Sequence, residues 1–534
     1  MKTYDYIIVG AGSAGCVLAN RLSENASASV LVLEAGPADR SPWFHIPLGV
    51  GKLFRSGKYD WGYQSEPEPY LEGRRIDFMR GKVLGGSSSV NMLVYTRGNA
   101  GDFDRWAQKG APGWSFADVL PFFKHAETWE KGGNAVRGGD GPVGVVETKT
   151  RDPLSDAWLA AIKAYGYSEN SEPASGNMEG FGRTQFTIRN GRRSSAATAY
   201  LKPALKRANL HLKTSVHATR IIMNGTRAVG IEYVKENGAC ERIEAAREVI
   251  LCGGAINSPQ LLMLSGIGPA AHLTDMGIKV VADLPVGQNL QDHPSVLTLY
   301  GRKEPSEFQR GMRFDRITLN MVRAYLFGTG PATMMPSGLL GFVKTRPELE
   351  LPDIELILPF APPYAEPWFP GIKKPYIDAF GVRAAVLRPE SRGEILLRSS
   401  DPLAPVRIRG NFFSAADDLE LLRRAFEIGR DVALHPALDP YRGQEIMPGG
   451  RVRSSAEIDD YIRKTMITLA HPACTCPMGL GSESVLDPQM RVRGVERLRV
   501  VDASAMPDLV SAHLNATVLM IGEKAADLII RDQI

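Results

Sequence analysis

The first 34 residues of the chain alternate between apolar runs, a glycine-rich turn and an amphipathic stretch. Residues 6–9 form an apolar run that predicts a buried parallel strand, and residues 30–33 form a second one. Between them lie the turn Gly10-Ala-Gly-Ser-Ala-Gly15 and residues 16–22, whose apolar side chains have helical spacing. This order of strand, turn, helix and strand is typical of a βαβ unit and predicts a parallel sheet.

Two later segments share the strand pattern of this unit. Residues 220–233 and 242–252 predict strands, and the second ends at Gly253-Gly254, as expected of another strand in the same sheet. A short strand over 498–501 and a helix that begins at Asn515 return to the same pattern near the end of the chain. We therefore expect one sheet to be assembled from separated segments.

A different pattern occupies most of residues 295–465. Proline and aromatic residues are more frequent there, and alternating strands such as 394–398 predict an antiparallel sheet. Residues 416–434 predict an amphipathic helix on this sheet. The proline- and aromatic-rich stretch 358–370 is compatible with a substrate entrance and equally with ordinary core and turns.

Composition narrows the class of protein. The chain has 534 residues with 44% hydrophobic and 23% charged residues, which is ordinary for a soluble globular protein and excludes disorder, collagen and coiled coil as global descriptions. Its net charge of +4 gives no reason to expect a nucleic-acid partner. The uncharged stretch 324–343 contains four Gly and two Pro, so we interpret it as a loop or short helices near a pocket, with peripheral membrane contact as a minor alternative.

The five cysteines indicate a reducing compartment. Their number is odd and their density is low, which does not predict a disulfide framework. Cys474 and Cys476 form a C-x-C pair without a second pair nearby, so they predict buried packing residues and no metal site. We expect a cytoplasmic protein, with peripheral attachment to the inner membrane as the alternative.

The turn after the first strand has the chemistry of a dinucleotide-binding loop. Gly10 permits the tight turn, Gly12 lets the backbone approach a pyrophosphate, and Gly15 lets the helix pack closely on the sheet. Glu34 follows at the end of the second strand, where a carboxylate accepts ribose hydroxyls and repels a 2′-phosphate. NADP is therefore disfavoured, but this unit alone does not distinguish FAD from NAD.

Longer motifs distinguish the two. Residues 81–98, with Gly-Gly-Ser-Ser-Ser at 85–89, residues 254–268, residues 471–479 and residues 501–517 follow one another in order. Together with the first turn they resemble the signatures of the glucose–methanol–choline (GMC) oxidoreductases over the whole chain. The resemblance implies contacts of FAD with Gly10, Gly12, Ser13, Ala14, Gly15, Glu34, Ala35, Trp61, Val83, Gly86, Ser87, Asn91, Met92, Val94, Val216, Asp502, Ala503 and Thr517.

The same resemblance implies two domains. The chain is expected to be α/β, with a Rossmann-like FAD-binding domain assembled from residues 1–155, 195–295 and 466–534. A substrate-binding domain, with an antiparallel sheet flanked by helices, is expected from residues 156–194 and 296–465.

One residue of the serine-rich loop concerns how FAD is held. Some members of the family link FAD through a histidine in this loop, and Val90 occupies that position here, so non-covalent FAD is expected.

The sequence Cys474-Thr-Cys-Pro-Met-Gly also departs from the usual Gly-Thr-Cys-Arg-Met-Gly of the family in that Cys and Pro replace Gly and Arg.

The resemblance to the GMC signatures also assigns the catalytic residues. Oxidation of an alcohol needs a base for the hydroxyl proton, and histidine has the unperturbed pKa closest to neutrality, at roughly 6.5. The resemblance selects His471 as this base and Asn515 as the second catalytic residue, whose amide holds the substrate oxygen. His513 falls off the catalytic position and is interpreted as a loop or capping residue, and His293 as structural.

The function expected from these residues is oxidation of a neutral or weakly polar primary alcohol to the aldehyde. The electron acceptor is either O₂ or a quinone-type acceptor, and the sequence does not choose between them. Three alternatives remain on the same scaffold. They are a hydroxynitrile-lyase-like activity without net redox change, a flavin photodecarboxylase, and a catalytically silent FAD-binding protein.

Overall fold

The computed structural model describes residues 2–532. Its helices, numbered along the chain, are α1 (Ser13–Leu22), α2 (Val50–Ser56), α3 (Ala100–Gln108), α4 (Phe116–Ala126), α5 (Leu154–Ala164), α6 (Lys202–Ala204), α7 (Gly254–Leu264), α8 (Ala270–Asp275), α9 (Glu307–Gly311), α10 (Phe314–Phe327), α11 (Ala416–Leu434), α12 (Ser455–Thr465) and α13 (Leu514–Arg531). None of the helices in these residues is long and apolar enough to cross a membrane.

A seven-stranded mixed sheet forms the first layer. Across this sheet the strands follow the order Leu210–Lys213, Val30–Leu33, Thr3–Val9, Cys240–Leu251, Arg227–Lys235 and Val216–Asn224, and Leu498–Val500 also pairs with Cys240–Leu251. Thr3–Val9 is parallel to both of its neighbours. The buried strands are rich in Val, Ile and Leu, as expected where helices cover both faces.

The carboxyl ends of these parallel strands meet at one edge. Gly10, Glu34, Cys252 and Asp502 each follow the last residue of a strand or lie within two residues of it. In open α/β sheets ligands bind at this edge. The predicted dinucleotide residues are thus brought together by the topology.

A second seven-stranded sheet is antiparallel throughout. Its strands follow the order Arg442–Met447, Pro294–Arg302, Ala379–Val386, Ile354–Pro359, Ser337–Val343 and Gly180–Arg183, and Ile467–Thr468 also pairs with Pro294–Arg302. Helix α11 packs on one face of this sheet through Gly429, where a Cβ would come within 2.8 Å of Val382. The opposite face is turned to the first sheet's ligand-binding edge, since Leu297, Ile357 and Arg383 line the same cavity as Gly12.

Smaller sheets connect these layers. They comprise Glu127–Trp129 with Val143–Glu147 and Gln185–Phe186, Tyr63–Gln64 with Asp77–Phe78, Ile188–Arg189 with Arg192–Arg193, Ile267–Gly268 with Ala282–Asp283, and Glu394–Leu396 with Arg407–Arg409. The division into domains at the residue numbers given above stays a prediction.

Several predicted elements differ from the observed ones. Residues 220–233 are two antiparallel strands of a hairpin, not one strand, because the chain turns at Gly225 with a positive φ. The stretch 324–343, expected as a loop or short helices, contains the end of α10 and the buried strand Ser337–Val343. Helix α11 has the predicted bounds, and α13 begins one residue before Asn515.

Candidate active site

A large cavity of about 1170 Å³ runs from the carboxyl edge of the first sheet to the inner face of the second. Its far end is bounded by the glycine-rich loops and Glu34, and its near end by His471 and the second sheet. It continues outward between α2, α10 and residues 361–367, which form its mouth. A cavity of this volume and lining suits a dinucleotide with room for a small substrate.

The first glycine-rich loop needs its glycines for close backbone packing. A Cβ on Gly10 would lie 2.4 Å from the carbonyl oxygen of Cys252, and one on Gly15 would lie 1.9 Å from the carbonyl oxygen of Gly10. Gly10 also has φ +104°, which favours glycine. Gly12 has space on the cavity side and precedes α1, so the free N–H groups of the helix start face the cavity.

A second glycine-rich loop packs directly on the first. A Cβ on Gly86 would come within 2.8 Å of the Cα of Gly12. Ser87 and Asn91 of the same loop line the cavity, and buried Arg193 donates to the side-chain and backbone oxygens of Asn91, both at 2.8 Å. These backbone cradles fit a pyrophosphate and the edge of a ring system.

Glu34 lies at the end of the second strand and lines the same cavity. Its carboxylate accepts hydrogen bonds from the backbone N–H of Ala11 at 2.8 Å and of Gly36 at 2.7 Å. Burial raises the pKa of Glu34 to about 7. Val216, whose N–H donates to the Glu34 carbonyl, and Trp61 line the cavity beside it, which suits an adenosine.

The structure brings most of the predicted cofactor residues to this cavity. Its lining includes Gly10, Gly12, Ser13, Ala14, Glu34, Ala35, Trp61, Gly86, Ser87, Asn91, Met92, Val94, Val216, Asp502 and Ala503. Three predicted residues lie behind the wall instead. Gly15 packs against Gly10, Val83 is buried against Phe44 and Leu53, and the Thr517 hydroxyl donates to the Arg97 carbonyl at 3.1 Å.

His471 is buried and lines the cavity. Its backbone N–H and that of His293 each donate to Oδ1 of Asp292 at 2.8 Å. Nδ1 of His471 lies 3.0 Å from Nδ1 of His293, and Nε2 of His293 lies 3.1 Å from the carbonyl oxygen of Leu387. Burial lowers the pKa of His293 to about 4, so that ring is neutral near pH 7.

These contacts determine which nitrogen of His471 carries a proton. A carbonyl oxygen only accepts, so Nε2 of neutral His293 is the donor to Leu387 and its Nδ1 has a lone pair. His471 therefore donates from Nδ1 to His293, and Nε2 of His471 keeps a lone pair for a proton. Burial also lowers the pKa of His471 well below its ordinary value.

The histidine nearest to His471 on the cavity side is His513. The two rings meet edge to face with centroids 4.9 Å apart, and both line the cavity. Nε2 of His513 lies 2.9 Å from Oε1 of buried Glu355, on the second sheet. His513 occupies the N-cap position of α13, in line with the loop or capping interpretation, but its side chain makes no capping hydrogen bond and faces His471.

Asn515, predicted as the second catalytic residue, points to the glycine-rich loop. Its side-chain oxygen accepts a hydrogen bond from the hydroxyl of Ser13 at 2.8 Å, which joins the starts of α1 and α13. The two residues differ in direction because His513 precedes α13 and Asn515 lies in its first turn. Asn515 lines the cavity on the cofactor side.

The loop after His471 is fixed to the segment at residues 503–504 by backbone hydrogen bonds. Cys474 and Cys476 are buried, and their N–H groups donate to the carbonyl oxygens of Ala503 and Ser504 at 3.1 and 2.8 Å. Burial raises the pKa of both thiols. Both cysteines are packing residues, as the sequence predicts.

Comparisons with known proteins agree with this geometry. Two models described as GMC oxidoreductase match residues 4–295 and 389–522. The chain is 43% identical to "Choline dehydrogenase, mitochondrial" of Mus musculus, covering 98% of this chain and 89% of that protein. It is 42% identical to "Oxygen-dependent choline dehydrogenase" of Sinorhizobium fredii, covering 99% and 96% of the two chains.

Solved structures show the same fold. Pyridoxine 4-oxidase from Mesorbium loti superposes with a TM-score of 0.88 at 30% identity and 99% coverage of both chains. A formate oxidase superposes with a TM-score of 0.91 at 28% identity, covering 99% of this chain and 98% of that one.

Proposed function

The chain belongs to the GMC oxidoreductases, FAD-dependent enzymes that act on CH–OH donors, and we propose that it oxidises a primary alcohol to the aldehyde with His471 as general base. The observation that carries this proposal is the order of protons through His293 and His471. It leaves a neutral, buried imidazole nitrogen at the cavity wall, which is what a base for an alcohol requires.

The residues that would hold FAD are those of the two glycine-rich loops and the strand ends. The N–H groups at Gly12 and the start of α1 suit the pyrophosphate, and Glu34 suits the ribose hydroxyls. When bound, FAD accepts the hydride from the carbinol carbon.

His471 would take the hydroxyl proton at Nε2 as the carbonyl bond of the product forms. In its doubly protonated form His513 would hold the substrate oxygen from the other side, because Nε2–H then donates to Glu355 and Nδ1–H is left to donate to that oxygen. Asp292 fixes the backbone at His471 through its N–H. Asn515 is kept as a candidate on the cofactor side, where it orders the helix start together with Ser13.

The mouth of the cavity has an unusual apolar surface. In α10, Leu319 is 67% exposed and Phe327 is 72% exposed, and Ile372 nearby is 85% exposed. The segments around the mouth, residues 52–58, 307–327 and 364–377, carry nine Lys and Arg against three carboxylates. We propose that this face rests on an anionic lipid surface, since a symmetric contact with a second copy would place like charges opposite each other.

Sedimentation with anionic vesicles tests this contact. Leu319→Glu and Phe327→Glu should reduce binding to the vesicles. Leu480 is also exposed, and the control variant Leu480→Glu should not reduce it. Equal binding of all three variants, or none by the unaltered protein, would refute it.

The first experiment on the reaction is anaerobic titration of the FAD-loaded protein with alcohols of different classes. Choline is included because the relatives described above are named choline dehydrogenases. Bleaching of the flavin band by an alcohol supports oxidation. Readmission of air then distinguishes reoxidation by O₂ from the need for a quinone-type acceptor. A loaded flavin that no alcohol bleaches would contradict the proposal and favour the lyase-like or photochemical alternatives.

A further inference from the structure

A guanidinium group is built into the wall of the cavity on the side of the second sheet. Arg383 lies in the central strand Ala379–Val386 and lines the cavity. Its register partners are Leu297 on one neighbouring strand and Ile357 on the other, and both also line the cavity. Arg383 is thus the charged member of an apolar row that faces the site.

The charge of Arg383 has no counter-ion among the described residues. Its Nη1 donates to the neutral hydroxyl of Ser295 at 3.2 Å. Burial without a carboxylate lowers the pKa of Arg383 to about 10, so the side chain is still charged at neutral pH. A desolvated guanidinium of this kind is complementary to an oxyanion.

The carboxylates that line the cavity are committed elsewhere. Glu34 accepts from the backbone of the glycine-rich turn, and Asp502 accepts from the N–H of Gly254 and the hydroxyl of Ser258. Asp60 accepts from the N–H of Arg80 at 2.9 Å. Glu355 lies behind His513, outside the lining. None of these carboxylates pairs with Arg383, so a quaternary ammonium group beside it would meet an uncompensated positive charge.

Arg383 is linked to the surroundings of the catalytic base through its hydrogen bond to Ser295. Ser295 is the hydrogen-bond partner of Arg383 and lies two residues after His293 in the chain. His293 in turn contacts His471. Two residues of an extended strand span about 7 Å. Arg383 and His471 also line the same cavity, so an oxyanion at Arg383 and a hydroxyl at His471 can belong to one substrate.

We propose that Arg383 binds a carboxylate of the substrate, so that the preferred alcohol of this enzyme is an ω-hydroxy acid and not a quaternary ammonium alcohol. This rests on the proposed function, because the hydroxy acid is oxidised by the same His471 site. The planar fork of arginine suits bidentate pairing with a carboxylate.

The experiment compares matched substrates on the FAD-loaded protein. The kcat/KM is measured for ω-hydroxy acids from hydroxybutyrate to hydroxyoctanoate, for their methyl esters and for choline. We expect at least one hydroxy acid to exceed its own ester by about tenfold or more, as for a hydrogen-bonded charge pair. Arg383→Met should bring the acid-to-ester ratio close to one, and Arg383→Lys should leave an intermediate ratio.

Arg183→Met is the matched control. Arg183 is exposed on the edge strand Gly180–Arg183 of the same sheet, so its loss removes one positive charge without touching the cavity. This variant should keep the acid-to-ester ratio of the unaltered protein. If Arg383→Met does not fold, the comparison of acid, ester and choline on the unaltered protein still tests the proposal.

The outcomes separate this inference from the function on which it rests. Bleaching by esters or choline at least as fast as by every hydroxy acid overturns the role of Arg383 and leaves alcohol oxidation in place. An equal fall of the ratio in Arg183→Met also overturns it, because the effect is then general electrostatics. No bleaching by any of these alcohols, with FAD bound, contradicts the proposed function itself.

Discussion

Nδ1 of His293 and Nδ1 of His471 lie 3.0 Å apart in rings that meet at 89°. Only one of the two nitrogens can hold the proton between them, and the Leu387 carbonyl on the far side of His293 decides which. Because that carbonyl needs the proton of His293 Nε2, the shared proton belongs to His471. His293 is thereby a positioning residue that sets the tautomer of the base.

Replacing His293 tests this role. In His293→Leu the acceptor for His471 Nδ1 is lost, and the base can take the unproductive tautomer, so the rate of flavin reduction should fall by about 10- to 100-fold. His293→Gln keeps an acceptor and should lose less. Anaerobic stopped-flow reduction at saturating alcohol measures both, with the flavin absorbance showing that FAD is bound. Equal losses in the two variants would mean that His293 only fills space.

The pH dependence of flavin reduction should show that the pKa of the base lies below its ordinary value. Burial and the neighbouring His513, His293 and Arg80 lower the pKa of His471, and a base works only when it is unprotonated. Protonation of His471 should therefore cause no fall in rate above about pH 6.5, and its own effect should appear only below that value. Stopped-flow reduction across pH 5 to 9 measures it.

Asp292 supplies the control for this profile. Burial raises the pKa of Asp292 to about 7, and its carboxylate accepts from the backbone at both His293 and His471. If the pH–rate profile changes near pH 7 and this change disappears in Asp292→Asn, the change is due to titration of Asp292. A limb above pH 6.5 that persists in this variant would contradict the lowered pKa of His471.

His513 and Asn515 should behave differently on replacement. His513 faces His471 and is held by Glu355, so His513→Ala should lower the rate of flavin reduction by about 100-fold. Asn515 bonds Ser13 near the dinucleotide loop, so Asn515→Ala should weaken FAD retention more than it slows reduction. The opposite pattern would restore Asn515 as the catalytic partner.

Local chemistry explains what the sequence predicts well. Gly10, Gly12 and Glu34 belong to one short unit in which turn, helix start and strand end are fixed by neighbours in the chain. Helix α11 has its predicted bounds because buried positions recur every three or four residues from Asp418 to Ala433.

The residues whose roles the sequence could not distinguish depend on longer-range contacts. His513 and Asn515 differ by two positions across a helix start, and only the start at Leu514 decides which of them faces His471. Glu355 and Arg383 reach the site through the register of two antiparallel strands, which no spacing along the chain gives. The one available signal was that His513 directly precedes an otherwise apolar helix.

FAD should be released on denaturation. Val90 stands where a covalent link would need a histidine, and it packs against buried Phe44, Leu53 and Val83. After acid precipitation, the flavin fluorescence should be found in the supernatant and not in the pellet. Flavin that stays with the protein through denaturation would disprove non-covalent binding.

A buried charge network away from the site should dominate stability. Glu127 is fully buried between Arg97 and Arg137, with Arg137 Nη1 at 2.7 Å from its Oε1, and it also accepts the N–H of Gly138. Glu127→Gln removes the carboxylate that both guanidinium groups share and leaves Arg137 with Glu172 as its carboxylate partner, so unfolding should become easier by about 3–5 kcal/mol. Glu420→Gln removes an exposed partner of Arg424 one helical turn away and should cost at most about 0.5 kcal/mol. Urea midpoints of the FAD-loaded variants compare the two, and similar shifts would mean that Arg97 and Arg137 find other partners when Glu127 is neutralised.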